Sequence, residues 1–232
     1  DRYYPNMQKW IEYAEAHSVD GILKDWGETD YRSWYLGDWA VPHETIDQQD
    51  PRSIDLVSNC VLSDAYATMA KIAAVLGKDD EVQKYQKRHE EHNALIHKTY
   101  FNEKDNSYAS CSQTDLIYPM LVGATPESKI ADVESTLFDI TNERHNGLFC
   151  TGLVGIPVIT QWATREDKAD FIYSILKKRE YPGYLFMIDN GATLTWEMWE
   201  GSRSQIHNCF NGIGTWFYQA LAGLAPDENA PG

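Results

Sequence analysis

Positive charge is scarce in this sequence. Lys and Arg together number 20 against 35 Asp and Glu, a formal net charge of −15. A surface this acidic repels phosphate backbones and anionic lipid, which sets nucleic-acid and membrane partners aside. No apolar run approaches the roughly 20 residues needed to span a bilayer. No basic stretch followed by an apolar one opens the chain, so no signal peptide is visible. Cysteine is sparse: Cys60, Cys111, Cys150 and Cys209 lie far apart and form no CxxC or zinc spacing, so buried free thiols are expected. Those thiols leave the compartment open. Also missing are a Gly-rich phosphate loop, a GxSxG elbow and an HExxH pair, the signatures of several common enzyme classes.

What is present is helical spacing. The apolar positions Val57, Val61, Ala65, Met69, Ile72 and Leu76 recur at threes and fours, and Gly77 closes that helix. Val82, Tyr85, Leu95 and Ile96 mark the next, with His89 and His92 on its charged and solvated face. Thr125-Pro126 predicts the start of a third, and Thr164 with Asp167 reads as a capping box for a fourth. Ile213, Phe217, Ala220, Leu221 and Leu224 mark a last one, with shorter helices beginning near Tyr3, Ser112, Leu153 and Thr193. About nine helices result, with no long alternating strand. Short charged turns alternate with long connections rich in aromatics and glycine: 21–52, 101–111, 142–152 and 181–191. Antiparallel helix pairs closing into a toroid would produce this, with the long connections building a site at one end. Residues 1–224 read as part of such a domain and 225–232 as its exit.

Two segments carry candidate chemistry. In Gly191–Asn208, "GATLTWEMWEGSRSQIHN", a helix from Thr193 would put Glu197 and Glu200 on one face, beside Trp196 and Trp199. A carboxylate half-buried among indoles suits proton exchange near neutrality. His207 follows and could bond a sugar hydroxyl. In Asp20–Pro42, the acids Asp25, Glu28, Asp30 and Asp38 mix with Trp26, Trp34, Tyr35 and Trp39. Aromatic faces are platforms for the C–H faces of sugar rings, although Trp and Tyr also simply fill cores. Thr151-Gly152-Leu153 and Tyr181-Pro182-Gly183-Tyr184 would let backbone approach closely.

The order "TGLVGIPVITQWA", "YPGYLFMIDNGATLTWEMWEG", "IHNCFNGIGTWFYQALAG", with "YLGDWAVP" upstream, resembles the catalytic domain of bacterial α-L-rhamnosidases over about Gly21 to Gly223. The Gly-Ala-Thr-x-x-Trp-Glu run at 191–197 is its most specific part. The resemblance implies an all-α (α/α)6 toroid and inverting hydrolysis of terminal α-L-rhamnosides, with rhamnose-containing glycosides or polysaccharides as partners and no metal or other cofactor. It makes Glu197 the general base and places Asp38, Trp39, Trp196, Glu200 and His207 around the sugar. Two departures stand out. The usual Asn-His-aromatic order reads Ile206-His207-Asn208. The Cys-Pro-x-Arg-(Asp/Glu)-Glu-like segment that supplies the general acid is absent. Twelve helices of about 15 residues with connections need well over ~300 residues, against 232 here. The chain also opens Asp1-Arg2-Tyr3-Tyr4-Pro5 without Met, so the expectation is the latter two-thirds of a barrel completed by an N-terminal part of the same protein. The competing readings are a carbohydrate-binding helical domain without hydrolytic activity and a helical toroid serving protein contacts.

Overall fold

The structure is a computed structural model that describes residues 2–26, 35–42 and 50–226. Among these residues it holds nine α-helices and two short hairpins: α1 (Tyr4–Ala16), β1 (Ser18–Val19), β2 (Ile22–Leu23), α2 (Pro51–Val75), α3 (Asp79–Tyr100), β3 (Phe101–Asn102), β4 (Ser107–Tyr108), α4 (Gln113–Leu121), α5 (Glu127–Asp139), α6 (Gly155–Arg165), α7 (Ala169–Leu176), α8 (Tyr184–Asp189) and α9 (Ile213–Trp216). Wider π-type turns continue α5 through Ile140–Arg144 and α9 through Phe217–Leu221. The acids and aromatics Glu28, Asp30, Tyr31 and Trp34 lie outside the described residues.

The helices pair as α2/α3, α4/α5 and α6/α7, and α2, α4, α6 and α9 pack one on the next. That is the arrangement of a toroid: an inner file of helices, each followed by an outer partner. Turns from inner to outer are tight. Gly77 (φ +67) ends α2 in the left-handed conformation open to glycine, and Lys78 N–H closes back on the Ala73 carbonyl at 2.9 Å. Returns from outer to inner helix are the long connections. The predicted alternation of short and long links is therefore the architecture itself.

Inner helix starts are capped from within. The Asp50 side chain accepts the Arg52 N–H (2.8 Å), with Pro51 at the first position, so α2 begins six residues before the apolar stripe announces it. Ser112 and Asp115 form a reciprocal capping box on α4, and buried Asp115 also accepts from Ser53 and Ser110, tying α2 to the loop before α4. One core runs across α2 to α9, rich in Trp162, Trp199, Phe210 and Trp216, while Tyr4, Ile11, Leu62, Tyr66, Met69 and Tyr85 make a second under α1. Cys60, Cys150 and Cys209 are buried free thiols and Cys111 is half-buried, as expected from their spacing.

Several local expectations fail for identifiable reasons. Thr164 caps nothing: it lies inside α6 and its hydroxyl donates to the Thr160 carbonyl (2.8 Å). Thr125 makes no cap for α5 because its hydroxyl accepts from Tyr108 (3.0 Å). His92 is not solvated. It is 4% exposed in the α2/α3 interface, where Nε2 meets the Asn59 carbonyl (3.2 Å) and the ring packs edge-on to Tyr66. Ser63 on α2 and His89 and Asn93 on α3 cross-link this hairpin, while the Asn59 side chain ties α2 to Leu23 of β2, so a helix face that looks charged in sequence is partly an internal hydrogen-bond network.

Burial lowers the His92 pKa to about 4, against the opposing pull of the Asn59 and Gly21 carbonyls. Its folded pKa lies below the unfolded value near 6.5, so its contribution is fully present above pH 6.5 and is lost as pH falls towards 4. The linkage amounts to about 3 kcal/mol over that window. Burial shifts Asp38 and Asp115 upward, which acts in the opposite sense, so the readout is a difference. Urea denaturation of wild type and His92→Gln at pH 7 and 4.5 should show a smaller acid loss in the variant. Equal losses would exclude His92 as the acid-labile group.

Candidate active site

The long connections converge on one cavity of about 460 Å³. Its walls come from all four: Asp38, Val41 and Pro42; Ser110 and Ser112; Arg144, His145 and Asn146 with Leu148 to Cys150; Tyr181 and Pro182. Asp50 and Ser53 at the start of α2 complete it. The cavity therefore sits where the inner helices begin, and the positive ends of their dipoles point towards this end of the ring.

One loop is fastened hard to this end. Asp38 is 4% exposed, and its carboxylate accepts four hydrogen bonds: from Val154 N–H and Gly155 N–H on Oδ1, and from Gly152 N–H (each 2.8 Å) and the Thr114 hydroxyl (2.6 Å) on Oδ2. It caps α6 from 116 residues away. Burial pushes its carboxyl upward while the four donors oppose. The next residue is held as well, since Leu153 N–H donates to the Trp39 carbonyl (2.7 Å). Glycine is required opposite: a Cβ on Gly152 would stand 2.0 Å from the Trp39 carbonyl oxygen, and one on Gly155 2.2 Å from the Thr114 hydroxyl. The close approach anticipated at Thr151-Gly152-Leu153 is thus an approach to the loop of Trp39.

The Glu/Trp segment is not a helix. Glu197 N–H donates to the Ser204 carbonyl (2.8 Å) and His207 N–H to the Thr195 carbonyl (2.9 Å), so the chain doubles back as a hairpin-like loop. Its turn, Met198 to Gly201, closes with Gly201 at φ +76. Trp199 is fully buried, donates its indole N–H to the Thr151 carbonyl (2.9 Å) and stacks on Phe210 at 4.0 Å. Trp196 is 5% exposed, its six-membered ring against Gly201. Both indoles serve the core. Glu197 and Glu200 do not share a helical face: Glu200 sits exposed on the turn, accepting from the Ser202 hydroxyl.

Glu197 occupies a different setting. Its side chain is 17% exposed. Oε1 lies 3.7 Å from an Arg203 guanidinium nitrogen, and Oε2 accepts from Ser204 N–H at 3.4 Å. The same guanidinium lies 5.0 Å from the centroid of the half-buried Trp39 ring. Glu197 and Trp39, 158 positions apart in sequence, are joined through Arg203. Burial raises the Cys209 thiol to about 11, with the Glu197 and Asp38 charges adding to it, which puts both carboxylates within electrostatic reach of one point. Half-buried His207 is near this loop's base. Its Nδ1 accepts the Cys209 N–H (3.1 Å), so the neutral ring carries its proton on Nε2, which makes no hydrogen bond among the described residues.

The structure thus brings together Glu197, Trp39 and, behind them, Asp38, and leaves Glu200 in solvent. Glu197 is not among the residues lining the 460 Å³ cavity; Asp38 connects the two places. Arg203 and the Arg144-His145-Asn146 wall escaped the sequence reading. The turn pair Asn146-Gly147, both at positive φ in the structure, was the available sequence signal inside the long 142–152 connection.

Helix pairs in an inner and an outer file, with their long links meeting around a polar cavity and a carboxylate set beside an indole, define a piece of an (α/α) toroid of the glycosidase kind. The chain belongs to the family of the bacterial α-L-rhamnosidase six-hairpin glycosidase domain, whose model matches residues 1–221. It is 24% identical to an α-L-rhamnosidase of Alteromonas sp. (strain LOR), over 96% of this chain and 25% of that protein. An α-L-rhamnosidase of Formosa agariphila is 25% identical over 96% of this chain and 24% of that protein. The solved α-L-rhamnosidase of Dictyoglumus thermophilum superimposes with a TM-score of 0.82 at 28% identity, covering 94% of this chain and 24% of that one. The Streptomyces avermitilis α-L-rhamnosidase complexed with L-rhamnose shares the fold, with a TM-score of 0.82 at 22% identity over 97% of this chain and 21% of that one. The chain spans about a quarter of the length of the curated relatives it matches.

Asp38→Ala should leave four buried donors without their acceptor and cost about 3 kcal/mol or more. Chemical denaturation measures this, and a loss under 1 kcal/mol would show that the loop of Trp39 is held by other contacts.

Proposed function

We propose that this chain carries the general base of an inverting α-L-rhamnosidase. The observation that supports the reading most is the placement of Glu197. Of the two carboxylates linked to Trp39, it is the one held by long contacts, joined to that indole through Arg203, and not consumed by short hydrogen bonds.

In an inverting hydrolysis one carboxylate takes a proton from water as that water attacks the anomeric carbon. A carboxylic acid on the opposite face gives a proton to the leaving oxygen, the two standing ~6.5–9.5 Å apart. Glu197 takes the first role. Trp39 supplies the apolar wall for the sugar ring. His207, protonated on Nε2, offers a donor to a sugar hydroxyl. Trp196 backs the loop that carries Glu197, and Asp38 holds the loop of Trp39 in register. The acid-bearing Cys-Pro-x-Arg segment does not occur in these 232 residues. The proposal therefore places the acid in a part of the protein outside this chain. Exposed apolar side chains at the two ends of the helix array support this: Trp10 and Tyr13 on α1, and Phe217, Tyr218 and Leu221 after α9. Further hairpins of a six-hairpin ring would cover them. No metal or other cofactor has a role in this chemistry.

In the intact protein, Glu197→Gln should lower turnover of an aryl α-L-rhamnoside by about 10²–10⁴-fold, with the fold unchanged by circular dichroism. Proton NMR of the first product should show the β-anomer. Near wild-type turnover in the variant, or initial release of the α-anomer, would overturn the assignment. Binding of L-rhamnose without any hydrolysis by the intact wild-type protein would point instead to a sugar-binding domain.

A further inference from the structure

Arg203 is the one described cation that touches both the candidate base and its indole wall. On the reading of Glu197 as base, we propose that Arg203 is a positioning residue that seats the Glu197 carboxylate against Trp39 for attack.

The geometry supplies three anchors. First, the loop bearing Arg203 is fixed to the strand bearing Glu197 by the Glu197 N–H to Ser204 carbonyl bond of 2.8 Å. Second, the dipeptide Arg203-Ser204 supplies one partner to each carboxylate oxygen: the guanidinium faces Oε1 at 3.7 Å and the Ser204 N–H faces Oε2 at 3.4 Å. Third, the guanidinium lies over the Trp39 ring, whose backbone is itself locked to Leu153. A delocalised cation can do both things at once, facing a carboxylate with its N–H groups while its charge lies over an indole. The two loops are already tied through Trp199 and Thr151, and among the described residues Arg203 is the side chain that links the Glu197 carboxylate itself to the Trp39 ring. Its side chain is 56% exposed while that of Glu197 is 17% exposed, so the arginine contributes little to the core and its removal is tolerable to the fold.

A residue that orients a base acts on the chemical step more than on substrate capture. Arg203→Ala in the intact protein should lower kcat by about 10- to 100-fold and leave KM within about threefold. Arg203→Lys, which keeps the charge but cannot lie flat on Trp39, should recover part of that loss. Melting temperatures of both variants close to wild type would assign the change to the site, and the lysine variant carries the test if the alanine variant fails to fold. Unchanged kcat in Arg203→Ala, or a loss confined to KM, overturns the proposal, the second result marking Arg203 as a sugar contact. Glu197→Gln assayed beside them separates the two readings. If it is inactive while Arg203→Ala is normal, only the positioning role falls; if it is active, the base assignment falls and takes this role with it.

Discussion

The site depends on one buried anion. Asp38 gathers three backbone N–H groups at the start of α6 and the Thr114 hydroxyl of α4 onto a single carboxylate. A buried charge is tolerable only when donors replace its water, and here the donors come from two pieces of chain, residues 152–155 and Thr114 on α4. The result is a rivet: the segment at 36–42 cannot move without exposing four unpaired donors. Gly152 and Gly155 are glycine because the rivet leaves no volume for a Cβ. Trp39, next in sequence, inherits its position from that arrangement, and Arg203 and Glu197 meet on it.

The toroid follows from a simpler rule. Each inner helix needs a capped, polar start, and each inner-to-outer turn needs only to reverse direction. Tight turns at Gly77, Gly123 and Asp167 all adopt positive φ. The ends that begin inner helices collect caps instead: Asp50 on α2, Ser112 on α4, Asp38 on α6. Capping side chains and cavity walls are consequently the same residues at one end of the ring. That end has a polar interior because helix starts demand acceptors there.

Helix existence was legible from apolar spacing: α2 is clear from Val57, Val61, Ala65, Met69, Ile72 and Leu76, and α3 from Val82, Tyr85, Leu95 and Ile96. Helix starts were less legible. Thr125 and Thr164 look like caps, yet neither caps a helix, because a threonine hydroxyl serves a nearby carbonyl or tyrosine equally well. The run from Thr193 misled for another reason. Two tryptophans three apart suggest a helical face, but a looped chain can send Trp196 and Trp199 to the core and Glu197 and Glu200 outward without any helix. His92 looked solvated because its neighbours in sequence are charged; the residues that bury it belong to α2. The candidate base was visible as a motif, whereas its partner Arg203 was not, since only the doubling back at Ser204 brings the arginine to it.

Two carboxylates stand near Trp39, and their hydrogen bonding separates their uses. Asp38 accepts at 2.6 to 2.8 Å from four donors, so both of its oxygens are committed to the fold. A group in that state cannot take a proton from water without first releasing a loop. Glu197 meets its two partners at 3.4 and 3.7 Å, beyond good hydrogen-bond length, and retains lone pairs for a water. Its loop is nevertheless fixed by backbone pairs at Ser204 and Thr195, so the carboxylate is placed without being consumed. Base catalysis asks for that combination of a determined position and an uncommitted oxygen. The two carboxylates therefore differ by coordination: the saturated one holds the loop of Trp39, and the loosely held one keeps the uncommitted oxygen that the proposed base role needs.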